Sequence, residues 1–278
     1  MCEGYKDDII TRYMRYLSVK NRSILREMVG TNFKVRYQGS VLGYFWAILK
    51  PLSMFAVLYV LFVYIAPIGK DIPHFGISLL LGIVFWNFFS ETTMIGATSI
   101  VANGDLIRKI SIPRYLVVVA SSVSALINLC LSMIVVVIFA IINGVYPSLT
   151  WLLVPVIIFE LYIFALGIAF GLSALYVKFR DVTYIWEVLL QAGFYASMII
   201  IPIQLVPEYL RQWFFLNPIV QILQDARALL IPSADNITVW NTAQSFVVLI
   251  APFAVILIVC LFGFYYFKSR SKYFAEDV

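Results

Sequence analysis

Asn103–Arg114 reads NGDLIRKISIPR, and the organisation of the whole chain follows from it. Asp105, Arg108, Lys109 and Arg114 form a short charged island between two of the longest apolar runs in the sequence. Hydrocarbon has no use for cations and an anion packed so closely, so the island lies in water, and its positive charge assigns it to the cytoplasmic face. Leu106, Ile107, Ile110 and Ile112 alternate with the charges, and Pro113 ends the segment. A basic, amphipathic segment held between two membrane helices is suited to take a push from a soluble partner and pass it to the membrane.

The surroundings of the island agree. Of 278 residues, 62% are hydrophobic and 13% charged, with a mean hydropathy of +0.93, outside the range of soluble domains and within that of polytopic membrane proteins. The net charge of +5 sits between and before the apolar runs, which indicates membrane topology and not nucleic-acid binding. Cys2, Cys130 and Cys260 have no metal-ligand spacing and read as small apolar residues.

Six apolar runs are each long enough to cross ~30 Å of hydrocarbon: Tyr44–Ala66, Phe75–Ala102, Tyr115–Ile142, Leu149–Val177, Val182–Ile203 and Thr242–Phe267. The expected fold is therefore an all-α membrane protein of six transmembrane helices. Residues 1–43 form a cytoplasmic amino-terminal region, 44–267 the membrane domain and 268–278 a cytoplasmic tail. With both termini inside, only Lys70, Arg211 and Arg227 of the twenty Lys and Arg residues fall outside. Within the amino-terminal region Ile24, Leu25, Met28, Val29 and Phe33 recur at helical spacing against Arg22, Arg26, Lys34 and Arg36. This predicts an amphipathic helix over 21–37 for the membrane interface, with packing on its own protein as the other reading. Tyr5–Leu17 carries a weaker helical pattern.

The connection 204–241 is apolar yet cut by Pro207, Pro218 and Pro232. Its two pieces, Glu208–Leu216 and Ile219–Ile231, have helical patterning but are too short to cross. A re-entrant hairpin dipping into the outer leaflet is the preferred reading, and a pair of helices lying flat on the membrane is the other.

Taken together, KVRYQGSVLGYFWAILKP at Lys34–Pro51, GIVFWNFFSETT at Gly82–Thr93, the island, KFRD at Lys178–Asp181 and LNPIVQILQDAR at Leu216–Arg227 resemble one family. It is the permease subunit of type-2 ABC (ATP-binding-cassette) exporters of cell-surface polysaccharide. The chain is most similar to exporters of rhamnose-rich cell-wall polysaccharide and similar also to O-antigen and teichoic-acid permeases. The island departs in carrying Ser111-Ile112-Pro113 where an aromatic before the proline is common. The resemblance implies a homodimer in the bacterial plasma membrane, bound to two copies of a separate ATPase that carries the ATP and Mg. No cofactor or metal is then expected on this chain. The implied substrate is a lipid-linked polysaccharide moved to the outer side. The resemblance also implies an interface helix at Arg22, Arg26, Lys34 and Arg36. Coupling to the ATPase would fall on Asp105, Leu106, Ile107, Arg108, Lys109 and Ile110, and an outer gate on Tyr209, Trp213 and Phe214.

The chemistry of the residues fits a transport subunit. No GxxxxGK[ST] phosphate loop occurs. His74 is the sole histidine and has no base, metal or nucleophile pattern around it, so no enzyme activity is expected. A glycan path would use aromatic faces and mobile hydrogen bonds, expected at Phe85, Trp86, Phe88, Phe89 and Glu91 with Asn87 and Ser90, and at Trp186, Phe194 and Tyr195 with Gln191. Glu91, Glu160 and Glu187 within or near the apolar runs leave a proton-coupled carrier as the alternative, alongside an ABC permease for a lipid or drug. Gly167 and Gly171 form a GxxxG helix-packing motif.

Overall fold

The computed structural model describes residues 21–32, 34, 43, 45–66, 72–109, 112–231 and 236–274. The second amino-terminal helix pattern, Phe33, Arg36, Ile110 and Ser111 lie outside these residues. Among the described residues the chain is helical without a strand. Helix α1 covers residues 21–32. It is followed by α2 (Phe45–Val60, continued by a π-helical turn Leu61–Ile65), α3 (Phe75–Ala102), α4 (Gly104–Lys109) and α5 (Tyr115–Ile142). A 3₁₀ turn at Leu149–Leu153 leads into α6 (Val154–Lys178), and α7 (Val182–Ala196) follows. The remainder is α8 (Glu208–Phe214), α9 (Pro218–Leu230), α10 (Val239–Thr242) and α11 (Phe246–Arg270).

Local chemistry sets the boundaries. Asn103 ends α3 by donating from Nδ2 to the Ser99 carbonyl oxygen at 2.8 Å, and Pro113 separates α4 from α5. Asn217 caps α9 by accepting from the Ile219 amide at 3.0 Å, with Pro218 at the first helical position, where its missing N–H costs nothing. Thr238 and Asn241 form a capping box around α10, and Ser245 caps α11. These caps explain why the last long helix begins at Phe246 and not at Thr242.

Among the described residues, five segments are long and apolar enough to cross a membrane: Phe45–Ile65, Phe75–Ala102, Tyr115–Ile142, Leu149–Lys178 and Phe246–Arg270. The run expected to be the fifth span, Val182–Ile203, is helical only to Ala196. Met198 adopts φ 53, in the left-handed region, and the chain continues without helix through Pro202. At ~1.5 Å per residue a helix of 15 residues is shorter than the hydrocarbon.

Helix α3 is the hub. Its apolar window is 72% buried within the chain against 11% for α2, so α3 is surrounded by protein while α2 stands at the edge. The central core joins α3 to α5, α6, α7 and α9 through Leu79, Phe85, Leu129, Leu161, Phe194 and Leu223. A second cluster gathers Met28 of α1, Ile107 of α4 and Phe274 around the C-terminal end of α3 and the start of α5. A third, with Ile203, Phe215 and Val239, lies among the connections around α8 and α10. The ends of the bundle are thus unlike: one is built from α1, α4 and the tail, the other from α8, α9 and α10.

Candidate functional site

A groove of about 380 Å³ opens between α2, α3 and α5, lined by Trp46, Lys50, Asn87, Ser90, Glu91, Asn128 and Ser132 among others. Asn87, Ser90 and Glu91 share one face of α3, and Asn128 and Ser132 lie one turn apart on α5. Asn128 donates from Nδ2 to Glu91 Oε1 at 2.7 Å, closing the floor. Ser132 donates to the Ala47 carbonyl oxygen of α2 at 3.5 Å. The Asn87 Nδ2 and Ser90 Oγ atoms are shielded and have no partner among the described residues. Polar groups at this depth of a membrane helix are costly unless they face protein or water. The groove therefore gathers donors and acceptors that hydroxyl-bearing cargo or water would satisfy.

Of the α3 aromatics expected along a path, Phe88 lines this groove, and Phe85, Trp86 and Phe89 do not. All four are buried. Phe89 stacks on Phe164 with centroids 5.6 Å apart, and Trp86 meets Phe89 at 5.5 Å and Phe194 at 6.0 Å. Trp186 donates its indole N–H to the Thr93 hydroxyl at 2.9 Å. These rings pack α3 against α6 and α7, because a run with aromatics on every side must bury most of them. Tyr195, 69% exposed on the outer face of α7, is the exception, and Gln191 and Glu187 lie on the same exposed helix.

At the α4 end, Asp105, Arg108 and Lys109 are exposed while Ile107 is buried and Leu106 half-buried. Ile107 packs with Met28, Val117 and Val177, so it anchors α4 to the bundle and leaves the charged face free. In α1 the same division holds: Arg22 and Arg26 are exposed, as is Lys34, and Ile24, Leu25, Met28 and Val29 belong to the cluster.

At the opposite end, Tyr209 and Trp213 of α8 are exposed and Phe214 is half-buried. Helix α9 is buried along most of its length, Arg227 included. The Arg227 guanidinium donates to the carbonyl oxygens of Ser78, Met198 and Ile199. Burial lowers its pKa to about 10, so it remains a cation at neutral pH. Gln221 donates from Nε2 to Asp225 Oδ2 at 2.8 Å. Thr150 and Trp151 donate to the Leu229 and Leu230 carbonyl oxygens, closing the C-terminal end of α9.

The family model described as ABC-2 type transporter matches residues 25–231, from α1 through α9. The chain belongs to the ABC-2 type transporter family. It is 27% identical over 263 residues, 92% of this chain and 96% of that protein, to the O-antigen export system permease protein RfbA of Myxococcus xanthus. It is 28% identical over 214 residues, 77% of this chain and 82% of that protein, to the O-antigen export system permease protein RfbA of Klebsiella pneumoniae. As an ABC-2 transporter chain it is a transport subunit, and the proton-coupled carrier is not favoured.

Within this ABC-2 chain the sequence reading had named Glu91, Asn87 and Ser90 but missed Lys50, Asn128 and Ser132. The available signal was the spacing of Ser124, Asn128 and Ser132, four residues apart on α5. It also counted Arg227 as a topology charge, whereas the structure makes it an internal tie.

Proposed function

We propose that this chain is the permease subunit of an ATP-driven exporter that moves lipid-linked polysaccharide from the cytoplasmic to the outer side of a bacterial plasma membrane. The observation that carries this reading is near full-length similarity to O-antigen export permeases. The polar groove of α2, α3 and α5 supports it, since amides, hydroxyls and one carboxylate suit a hydroxylated polymer. In this reading two copies pair, and two ATPase subunits dock on the exposed face of α4, Asp105, Arg108 and Lys109, with α1 at the interface beside it. ATP and Mg reside on those partners.

Six crossings are supported by the track of α7. Trp186 meets Thr93, Phe194 meets Trp86, and Met198 and Ile199 reach Ser78 through Arg227. Helix α7 and its non-helical extension thus run antiparallel to α3 toward the end where α3 begins. Both termini then lie in the cytoplasm, and α8 and α9 form a re-entrant hairpin gate on the outer side. The test is a pull-down of the tagged permease from its native membrane, followed by an ATPase assay. Recovery of a stoichiometric ATPase, with loss of surface polysaccharide when the permease is deleted, is the expected result. A permease that purifies alone and whose deletion leaves the polysaccharide at the surface would overturn it.

A further inference from the structure

A second cavity, of about 620 Å³, lies at the end of the bundle away from α4. Its walls come from the start of α3, the extension after α7, the C-terminal half of α9 and the segment 236–242. Two arginines border it, but both are already engaged. Arg227 makes four hydrogen bonds to backbone carbonyls. Arg211 donates to the Val206 and Gln204 carbonyl oxygens at 2.8 and 2.9 Å and lies 3.7 Å from Glu208. The polar groups left to a ligand are mainly neutral: Gln204, Gln224, Asn241 and Thr242. Gln224 is the telling one. It is only 4% exposed, it lines the cavity, and its Nε2 amide has no hydrogen-bond partner among the described residues. A buried donor left open in this way costs free energy until something accepts from it.

The cavity is also lined by the apolar Ile72, Pro73, Phe75 and Ile199. Side-chain amides can donate to one hydroxyl and accept from its neighbour, and an apolar wall covers the C–H face of a sugar ring. A phosphate would need free cations, which the engaged guanidiniums do not supply. The volume falls in the ~300–1,000 Å³ range of small-ligand sites.

We propose that this cavity is a saccharide-binding site that takes one or a few hydroxyl-bearing sugar units of the polymer on the outer side. It rests on the outward orientation and the substrate class proposed above. The site holds a unit that has emerged and so opposes backward sliding.

The test places a cysteine at Thr242 (Thr242→Cys) in the full-length chain with Cys2, Cys130 and Cys260 replaced by serine. Intact cells are treated with a membrane-impermeant maleimide. The probe is the set of short oligosaccharides released by mild acid from the host's own surface polysaccharide, supplied at millimolar concentration. The expected result is labelling from outside, slowed at least threefold by the oligosaccharides, with the slowing lost when Gln224→Leu is added. Inorganic pyrophosphate should leave the rate unchanged. A rate indifferent to the oligosaccharides, slowing that survives Gln224→Leu, or equal slowing by pyrophosphate would each overturn the proposal. Labelling seen only after permeabilisation would overturn the outward orientation itself, and this site with it.

Discussion

The Arg227 guanidinium holds the Ser78 carbonyl oxygen from two nitrogens, Nε at 3.3 Å and Nη2 at 3.1 Å, fixing the C-terminal half of α9 to the first turn of α3. The same group donates to the Met198 and Ile199 carbonyl oxygens at 3.1 Å each, where the chain leaves α7. One side chain therefore joins the start of α3 to the Met198 and Ile199 carbonyls of the non-helical stretch after α7. Gly82 leaves room for it: a β carbon at that position would lie 3.3 Å from Arg227 Nη2 and 3.0 Å from the Ile199 side chain.

Arg227→Leu should cost about 2 kcal/mol or more. The Met198 and Ile199 carbonyls would lose this donor, at roughly 1–3 kcal/mol each, offset in part because a cation need no longer be desolvated. Arg227→Lys should recover only part of the loss, since an ammonium lacks the planar fork that reaches three acceptors. Thermal unfolding of the detergent-solubilised protein measures both. Equal melting of parent and Arg227→Leu would mean that the extension after α7 holds its shape unaided.

The Glu91–Asn128 pair separates hydrogen bonding from charge. Glu91→Gln keeps an acceptor for Asn128 Nδ2 and removes the anion, whereas Glu91→Leu leaves Asn128 without that acceptor on the floor of the groove. Export by Glu91→Gln should stay within about twofold of the parent. Export by Glu91→Leu should fall on the order of tenfold, equivalent to about 1.4 kcal/mol in the barrier. Surface polysaccharide appearing per unit time, normalised to permease in the membrane, is the readout. Loss of export in Glu91→Gln would mean that the carboxylate charge itself is used.

Much of this architecture is legible in the chain because membrane helices announce themselves by length and punctuation. Phe75–Ala102 and Tyr115–Ile142 fall where the apolar runs and the flanking Asn103, Pro113 and Asn143-Gly144 place them. The stop of α7 at Ala196 is not legible. Ser197–Ile200 is as apolar as the helix before it, and the donor that stabilises the break, Arg227, stands 29 residues along the chain from Met198. The groove was half visible for a related reason. A carboxylate in an apolar run draws notice, but Asn128 and Ser132 scarcely lower the hydropathy of α5, and their role appears only when α2 and α3 are packed beside them. Which rings of the α3 aromatic run are covered by α6 and α7 is not legible either, because composition does not say which side a neighbouring helix will take.

Helix α4 divides into an anchoring side and a free side, and the two should respond differently. Arg108→Glu with Lys109→Glu reverses two exposed charges without touching the core, so the permease should melt as the parent does. Co-purifying ATPase should fall at least tenfold, as expected when interfacial charges are reversed. Ile107→Ala removes a buried side chain that packs on Met28 and Val117, and should cost about 2–4 kcal/mol of stability. Retention of the ATPase by the double charge reversal would remove this face from the docking surface.

Helices α6 and α11 approach closely at Gly167, Cys260 and Gly263. A β carbon at Gly263 would overlap the Gly167 carbonyl oxygen, and one at Gly167 would lie 2.7 Å from the Cys260 Cα atom. In lipid no hydrophobic effect drives two helices together, so contact of this kind depends on backbones approaching through small residues. Gly263→Ala should therefore destabilise the chain by about 1–3 kcal/mol, the usual cost of overpacking, and Gly263→Leu should prevent assembly of the bundle. Gly171→Ala provides the contrast, because its β carbon would meet only the Gly263 Cα atom at 3.8 Å, ordinary contact distance. It should melt within about 1 kcal/mol of the parent. Fluorescence-detected size exclusion after a heat step ranks the three. If Gly263→Ala and Gly171→Ala melt alike, the helices are free to move apart and the approach carries no stability.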